Sequence, residues 1–306
     1  SSETVVVAST SALISSTLSG GVRRVGATST SPRATRSLGL DLFRGEGSDF
    51  FYGIQAGSLG FSMSSNSTVT GNVYSNGTIT GASGAEITGS ASAVSTISSP
   101  DPVVTGASTP GSSVIPLPSL DIEYWKVQAN IHDDPYVGDL TFSGGTPFAL
   151  GPRKIVGNLV VTSNAQLTVT GPLYVTGTMT ISSNADLFLD QSFGSDGTVI
   201  LVDGTVTIES NADIHATDAS PKGYILLASL SAGTAIDLNS NTASALLYAP
   251  NGTVVVNSNA HATSIAAEGI LLNSNASITY DSGLENQTFT SGPSGGWRVQ
   301  RWQETE

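Results

Sequence analysis

The chain has no cysteine, and of its 306 residues only 11% are charged, 11 of them Lys or Arg. Without cysteine there is no disulfide framework, no thiolate nucleophile and no cysteine-based zinc site. A soluble intracellular domain carries roughly a quarter charged residues; here Gly (34 residues), Ser, Thr and Asn fill that space. Such a composition reads as secreted or surface-displayed, so the expected location is extracellular or at the cell surface. Disorder is the simplest alternative, but 39% hydrophobic residues in regular β patterns argue against it. No run reaches the ~20 apolar residues of a membrane-spanning helix. Ser1 stands where an initiator Met would, so the expectation is a processed form, any signal or membrane anchor lying upstream. The net charge of −13 disfavours nucleic acid, because an acidic surface repels phosphate.

What the sequence does have is a recurring Ser-Asn dipeptide, at Asn66, Asn76, Asn164, Asn184, Asn211, Asn241, Asn259 and Asn275. The last six step forward by 20, 27, 30, 18 and 16 residues. Self-similarity at ~20 to 30 residues with β-formers between signals a solenoid. An Asn recurring once per coil stacks amide on amide along the axis, which makes these eight a structural ladder. Between them lie short runs such as Leu167-Thr168-Val169, Met179-Thr180-Ile181 and Val206-Thr207-Ile208. Runs so short, about ten residues apart, suit a three-faced coil rather than a sandwich. No helical period lies between them, which excludes a βαβ fold. The expected fold is all-β, a right-handed parallel β-helix (solenoid) with a short helical insertion and end caps.

Composition divides the chain. Residues 1–50 are a Ser/Thr-rich tail, stem or assembly segment, open between strand and helix, and Thr4-Val5-Val6-Val7-Ala8 is a candidate strand for donation to a neighbour. Residues 51–90 form the first coils, and 91–118 a Ser/Pro-rich linker. Residues 119–154 hold a helix, capped by Ser119 or Asp121, that covers an open end or a flank. Residues 155–290 are the main array, and 291–306 a cap whose Trp297 and Trp302 lie over the last coil.

Several stretches resemble a known group. They are Gly151-Pro152-Arg153-Lys154-Ile155-Val156-Gly157-Asn158-Leu159, Thr170-Gly171-Pro172-Leu173-Tyr174-Val175, Val202-Asp203-Gly204-Thr205, Leu247-Tyr248-Ala249-Pro250-Asn251-Gly252-Thr253 and Trp297-Arg298-Val299-Gln300-Arg301-Trp302. Phe51-Tyr52-Gly53-Ile54-Gln55 and Gly71-Asn72-Val73-Tyr74-Ser75-Asn76-Gly77 add to these. Together, over about residues 50–304, they resemble the β-helical ectodomains of bacterial type IV pilus assembly accessory (minor-pilin-like) surface proteins. The group typically begins with a pilin-like hydrophobic helix, absent from these residues, and brings no catalytic motif. The resemblance implies an extracellular structural or adhesive rod of a pilus or surface filament, partnered by its own copies or by other pilus subunits.

Candidate sites are few. The residues two after each Asn (Gln166, Asp186, Asp213, His261 and Ser277) stack outward. Asp186 and Asp213, in adjacent coils, are positioned for a shared calcium or for paired carboxylates, against the simpler reading of two solvated acids. The Gly-Gly-x-Gly-x-Asp repeat of calcium β-rolls is absent, so no cofactor is expected, with calcium the one candidate. Between 155 and 290 the only Lys or Arg is Lys222, and the histidines are His215 and His261. That is a poor catalytic inventory, and the expectation is no enzyme. The alternatives are a carbohydrate-binding or polysaccharide-active β-helix, marked by Tyr174, Phe188 and Tyr248 exposed in a row, and then an ice-binding protein using Thr68/Thr70, Thr78/Thr80, Thr168/Thr170, Thr178/Thr180 and Thr205/Thr207. His132-Asp133-Asp134 reads as a solvated loop, and the Asn-x-Ser/Thr triplets at Asn66, Asn76, Asn251, Asn275 and Asn286 as chance.

Overall fold

The computed structural model describes residues 2–7, 10–19, 22–31, 34–44, 50–98, 100–145, 147–239, 246–286 and 297–305. The chain forms two compact units, Ser1–Ser48 with Gly292–Glu306, and Asp49–Ser291.

The smaller unit is an antiparallel sheet of Ser2–Val7, Thr10–Ser19, Val22–Ser31, Ala34–Arg44 and Trp297–Thr305, in that order. Ser19 pairs with Val22 and Ser31 with Ala34, the close pairing of tight hairpins. Strand therefore wins over helix in residues 1–50. Val5 already pairs with Ala12 in its own chain, so donation of this segment could use only its free outer edge. The tryptophan segment departs from expectation. Trp302 pairs with Leu40 and Trp297 with Arg44, making the segment read as a cap a fifth strand of this sheet. Its Trp-Arg-Val pattern alternates, and an irregularity between Val299 and Arg301 resets the register for Trp302.

The larger unit is built from short parallel strands in triplets. Arg153–Val156, Leu159–Val161 and Gln166–Val169 form one; Leu173–Val175, Met179–Ile181 and Asp186–Leu189 lie on it strand for strand. Thr198–Val202, Val206–Ile208 and Asp213–His215 follow in the same register. The pairing puts Leu159, Met179, Val206, Ile236, Val254 and Ile270 in one inward column, each at most 3% exposed. Stacking like on like buries a continuous apolar core that no single triplet could close.

The stacking order is not the chain order. Ser264–Leu272, near the end of this unit, pairs with Ile54–Met63 at its beginning. Ile54–Met63 then pairs onward with Val73–Ser75 and Ile79–Gly81. The chain thus enters mid-stack, winds outward to Ser108–Pro110, crosses back, and starts again at Tyr136–Val137. Two expected boundaries move as a result. Ala91–Ala93, Val103–Val104 and Ser108–Pro110 continue the parallel pairing inside the segment read as a linker. Tyr136–Val137, Leu140–Phe142 and Phe148–Leu150 form a triplet inside the segment read as insertion and loop.

The crossing segment includes the helix Ile122–Ala129, N-capped by Asp121, whose carboxylate accepts from the Tyr124 N–H at 3.0 Å. It covers a flank, not an end. Trp125 and Ala129 join Tyr174, Val199, Leu201, Leu226 and Tyr248 in a second apolar cluster. Burial on both faces is why these strands read as unbroken apolar runs, such as Val199-Ile200-Leu201-Val202, without alternation. Ile115 and Asn76 exchange two hydrogen bonds, at 2.7 and 3.1 Å, and Tyr248 Oη donates to Pro118 O at 2.7 Å, tying the crossing segment down. Among the described residues no helix is long and apolar enough to cross a membrane.

Candidate functional site

The Ser-Asn dipeptides make turns. Asn66, Asn164, Asn184, Asn211, Asn259 and Asn275 all have φ between 57° and 63°. In each turn the N–H of the following residue bonds the carbonyl two before the Asn, as from Ala165 to Thr162 at 3.0 Å and from Ala185 to Ser182 at 3.0 Å. A positive φ at the third position of such a turn defines type II, which favours Gly or Asn. Gly84, at φ +77°, fills the same position in the turn that Ala85 N closes on Ala82 O at 3.0 Å. The asparagines are exposed, while the small residue after each, Ser67 or an Ala, is 0% exposed and tucks into the corner. Among the described residues no hydrogen bond joins one of these amides to another. Asn76 instead clamps Ile115, and Asn241 lies outside the described residues.

Amide stacking occurs two positions earlier, at residues not singled out from the sequence. Asn273 Nδ2 donates to Asn257 Oδ1 at 2.8 Å, and Asn257 Nδ2 to Asn239 Oδ1 at 3.3 Å and to Asp237 Oδ1 at 2.6 Å. Asn239 Nδ2 continues to Ile208 O at 3.2 Å. The signal was present as the triplet Asn-Ser-Asn at 239–241, 257–259 and 273–275.

The third strand of each triplet carries the outward groups of interest. Gln166, Asp186 and Asp213 align in register, as do Thr168, Phe188 and His215; His261 aligns with Ser277 and Thr68. His215 stacks on Phe188 with centroids 4.4 Å apart and planes 9° apart, and its Nε2 lies 3.5 Å from Asp186 Oδ1. Ligand atoms of Asp186, Asp213 and His215 lie within 4.8 Å of one another. The imidazole gives a mixed donor set, whereas calcium takes six to eight oxygens.

A cleft of about 830 Å³ opens over this face, lined by Asp213, His215, Lys222, His261, Tyr280 and Asp281 among others. Its wall is fixed by hydrogen bonds from Gly223 N to Thr217 Oγ1 at 2.7 Å and from Asp218 N to Gln191 Oε1 at 2.9 Å. Tyr224 Oη donates to Asp281 Oδ2 at 2.5 Å and Gly283 N to Oδ1 at 2.8 Å. These two bonds, with Lys222 nearby, hold the Asp281 carboxyl below its ordinary range. His215 and Lys222 are thus brought to one place with His261, which is distant from them in sequence.

Other candidates are dispersed. Tyr174 and Tyr248 are buried in the second apolar cluster, so they form no exposed aromatic row with Phe188. Tyr174 Oη donates to Asp203 at 2.6 Å. The outward row through Thr180 and Thr207 continues into Asp237 and Val255, interrupting any flat threonine array. Asp134 is taken up by Arg153 at 2.7 Å.

A family profile described as repeats of unknown function (DUF5649) matches residues 137–201. These residues span the first triplets of the stack from its Tyr136 end. No curated protein matches the chain at a significant level. Among solved structures, the competence-associated pilin ComZ from Thermus thermophilus is similar at 12% identity and TM-score 0.44, over 99% of this chain and 86% of that one. A likeness at that score decides neither fold nor function.

Proposed function

We propose that the parallel triplets are coils of a right-handed β-helix, displayed outside the cell as a structural or adhesive part of a pilus or surface filament. The right hand follows the strong preference of parallel crossovers. The observation that carries the reading is topological: Asp49–Ser291 is inserted between the fourth and fifth strands of a small antiparallel sheet. The chain on both sides of the inserted segment therefore belongs to one sheet, the connectivity of an inserted unit. The Lys-poor, Ser/Thr/Asn-rich composition and the resemblance to pilus accessory ectodomains point the same way. The reading is of a non-enzymatic role: the bonds from Tyr224 and Gly283 hold the Asp281 carboxyl below its ordinary range, the opposite of what a general acid requires.

Negative-stain electron microscopy of the whole chain and of residues 49–291 tests this. The whole chain is expected to assemble into filaments and the inserted unit to remain as single rods. Single particles in both preparations would remove the filament role, and compact particles without elongation would remove the rod.

A further inference from the structure

Asp186, Asp213 and His215 form a cluster whose geometry the display role does not explain. Its members come from two adjacent third strands, Asp186–Leu189 and Asp213–His215, which pair in parallel. Asp186 lies directly opposite Asp213, and like charges so placed destabilise a sheet. Side chains alternate along a strand, so His215, two residues on, emerges on the same side as Asp213. Its ring is held. The faces of His215 and Phe188 are turned to each other, with centroids 4.4 Å apart and planes 9° apart. The imidazole therefore presents its edge, which carries the nitrogens, and Nε2 reaches across the strand pair to lie 3.5 Å from Asp186 Oδ1.

That separation favours one use over another. A charge-assisted hydrogen bond from imidazole to carboxylate closes to about 2.7–2.9 Å. Two ligands of one tetrahedral ion, each about 2.0–2.2 Å from the metal, stand about 3.4 Å apart. Ligand atoms of all three residues lie within 4.8 Å of one another, so a turn of one carboxylate closes the set. We propose that Asp186, Asp213 and His215 bind a divalent transition ion of the zinc class, clipping two successive triplets together. One nitrogen and two oxygens suit zinc, and they fall short of the six to eight oxygens that calcium takes. The chain has no cysteine to select a softer ion. The side chains of Asp186 and His215 are 28% and 41% exposed, which leaves the fourth position to water. Phe188 is a positioning residue, acting through the ring that it orients. The site is independent of the display reading, because microscopy reads assembly and the following experiment reads metal.

The whole chain, stripped of metal by a chelator and dialysed, is titrated calorimetrically with zinc chloride and, separately, with calcium chloride. One zinc ion per chain is expected, with calcium about tenfold weaker or more. Asp186→Asn, Asp213→Asn and His215→Ala should each weaken zinc binding by about tenfold or more. Phe188→Leu, which frees the ring and keeps every ligand, should weaken it by a smaller factor. His132→Ala and His261→Ala, at the other two histidines, should leave it unchanged. Zinc should raise the melting temperature of the parent and not that of His215→Ala. Circular dichroism separates lost binding from lost folding, and Asp186→Asn, being isosteric, keeps the test open if His215→Ala does not fold. Absence of zinc binding, calcium bound as tightly as zinc, full zinc affinity in folded Asp186→Asn or His215→Ala, or loss of zinc in His132→Ala or His261→Ala would each overturn the proposal.

Discussion

Replacing Asn257 by Asp changes one atom group and reverses one contact. Asn257 Nδ2 now donates to Asp237 Oδ1 at 2.6 Å; in the variant a carboxylate oxygen faces that carboxylate. Two unit charges at that separation repel by about 1.6 kcal/mol in a water-like medium and about 6 kcal/mol at an effective dielectric of 20. The site is half-buried, and the side chains will part somewhat, which favours the lower half of that range. The lost hydrogen bond to a charged group adds about 1.5–3 kcal/mol. The expected deficit is about 3–4 kcal/mol at pH 7 and low salt, read by urea unfolding. Repulsion raises the folded pKa of the pair above its unfolded value of roughly 4. Stability is therefore retained below about pH 4 and lost as pH rises through the raised folded pKa. Asn257→Ala, which loses the bonds without adding charge, should cost about 1–2 kcal/mol with little pH dependence. If Asn257→Asp unfolds within 0.5 kcal/mol of the parent at pH 7, or its deficit fails to shrink at pH 4, the amide ladder is not holding this edge.

Three further outcomes follow from the same geometry. Asn184→Ala should cost about 1 kcal/mol because its φ of 60° is left-handed, while Asn184→Gly should be near neutral; denaturant midpoints decide between them. Burial raises the Tyr248 pKa from 10.0 to about 12, against an opposing Leu120 backbone hydrogen bond. Its contribution is thus present below pH 10 and lost as pH climbs toward 12, on the order of 2–3 kcal/mol, and Tyr248→Phe should flatten that part of an alkaline unfolding curve. Hydrogen exchange should find Ile265–Leu272 as protected as the central strands, because Ile54–Met63 covers it, with Ser108–Pro110 and Tyr136–Val137 exchanging first.

Much of the architecture was legible because stacking repeats a local chemistry. Leu167-Thr168-Val169 and Met179-Thr180-Ile181 announce half-buried strands by alternation, and Ser-Asn-Ala announces a corner by the one conformation that Asn tolerates better than its neighbours. The in-register placement of Asp186 and Asp213 followed from counting two residues past each Asn. The stacking order was not legible. Ile54, Ile265 and Val73 are interchangeable to a neighbouring strand, so no local residue states that the first coil lies on the last. The fate of Trp297 and Trp302 was hidden for a related reason: an alternating edge strand and a cap use the same apolar residues. The cleft was missed because Lys222, His215 and His261 belong to separate elements, and only the loop fixed by Thr217 brings Lys222 across.

The contact between the first and last strands of the larger unit's stack also sets a timetable. Ser58 N donates to Glu268 Oε1 at 2.9 Å, across 210 positions of sequence. A chain made from its N-terminus presents one side of Ile54–Met63 long before Ser264–Leu272 exists to meet it. The outer strands can pair early, yet the junction must wait for nearly the whole unit, and such a late, distant closure is slow. Once made, it denies unfolding its usual starting point. Ser264–Leu272 is covered by Ile54–Met63, so peeling must begin at Ser108–Pro110 or Tyr136–Val137, and neither is next to a chain terminus. Slow to complete and hard to unravel from its ends, the stack holds its fold by a kinetic barrier as much as by its contacts.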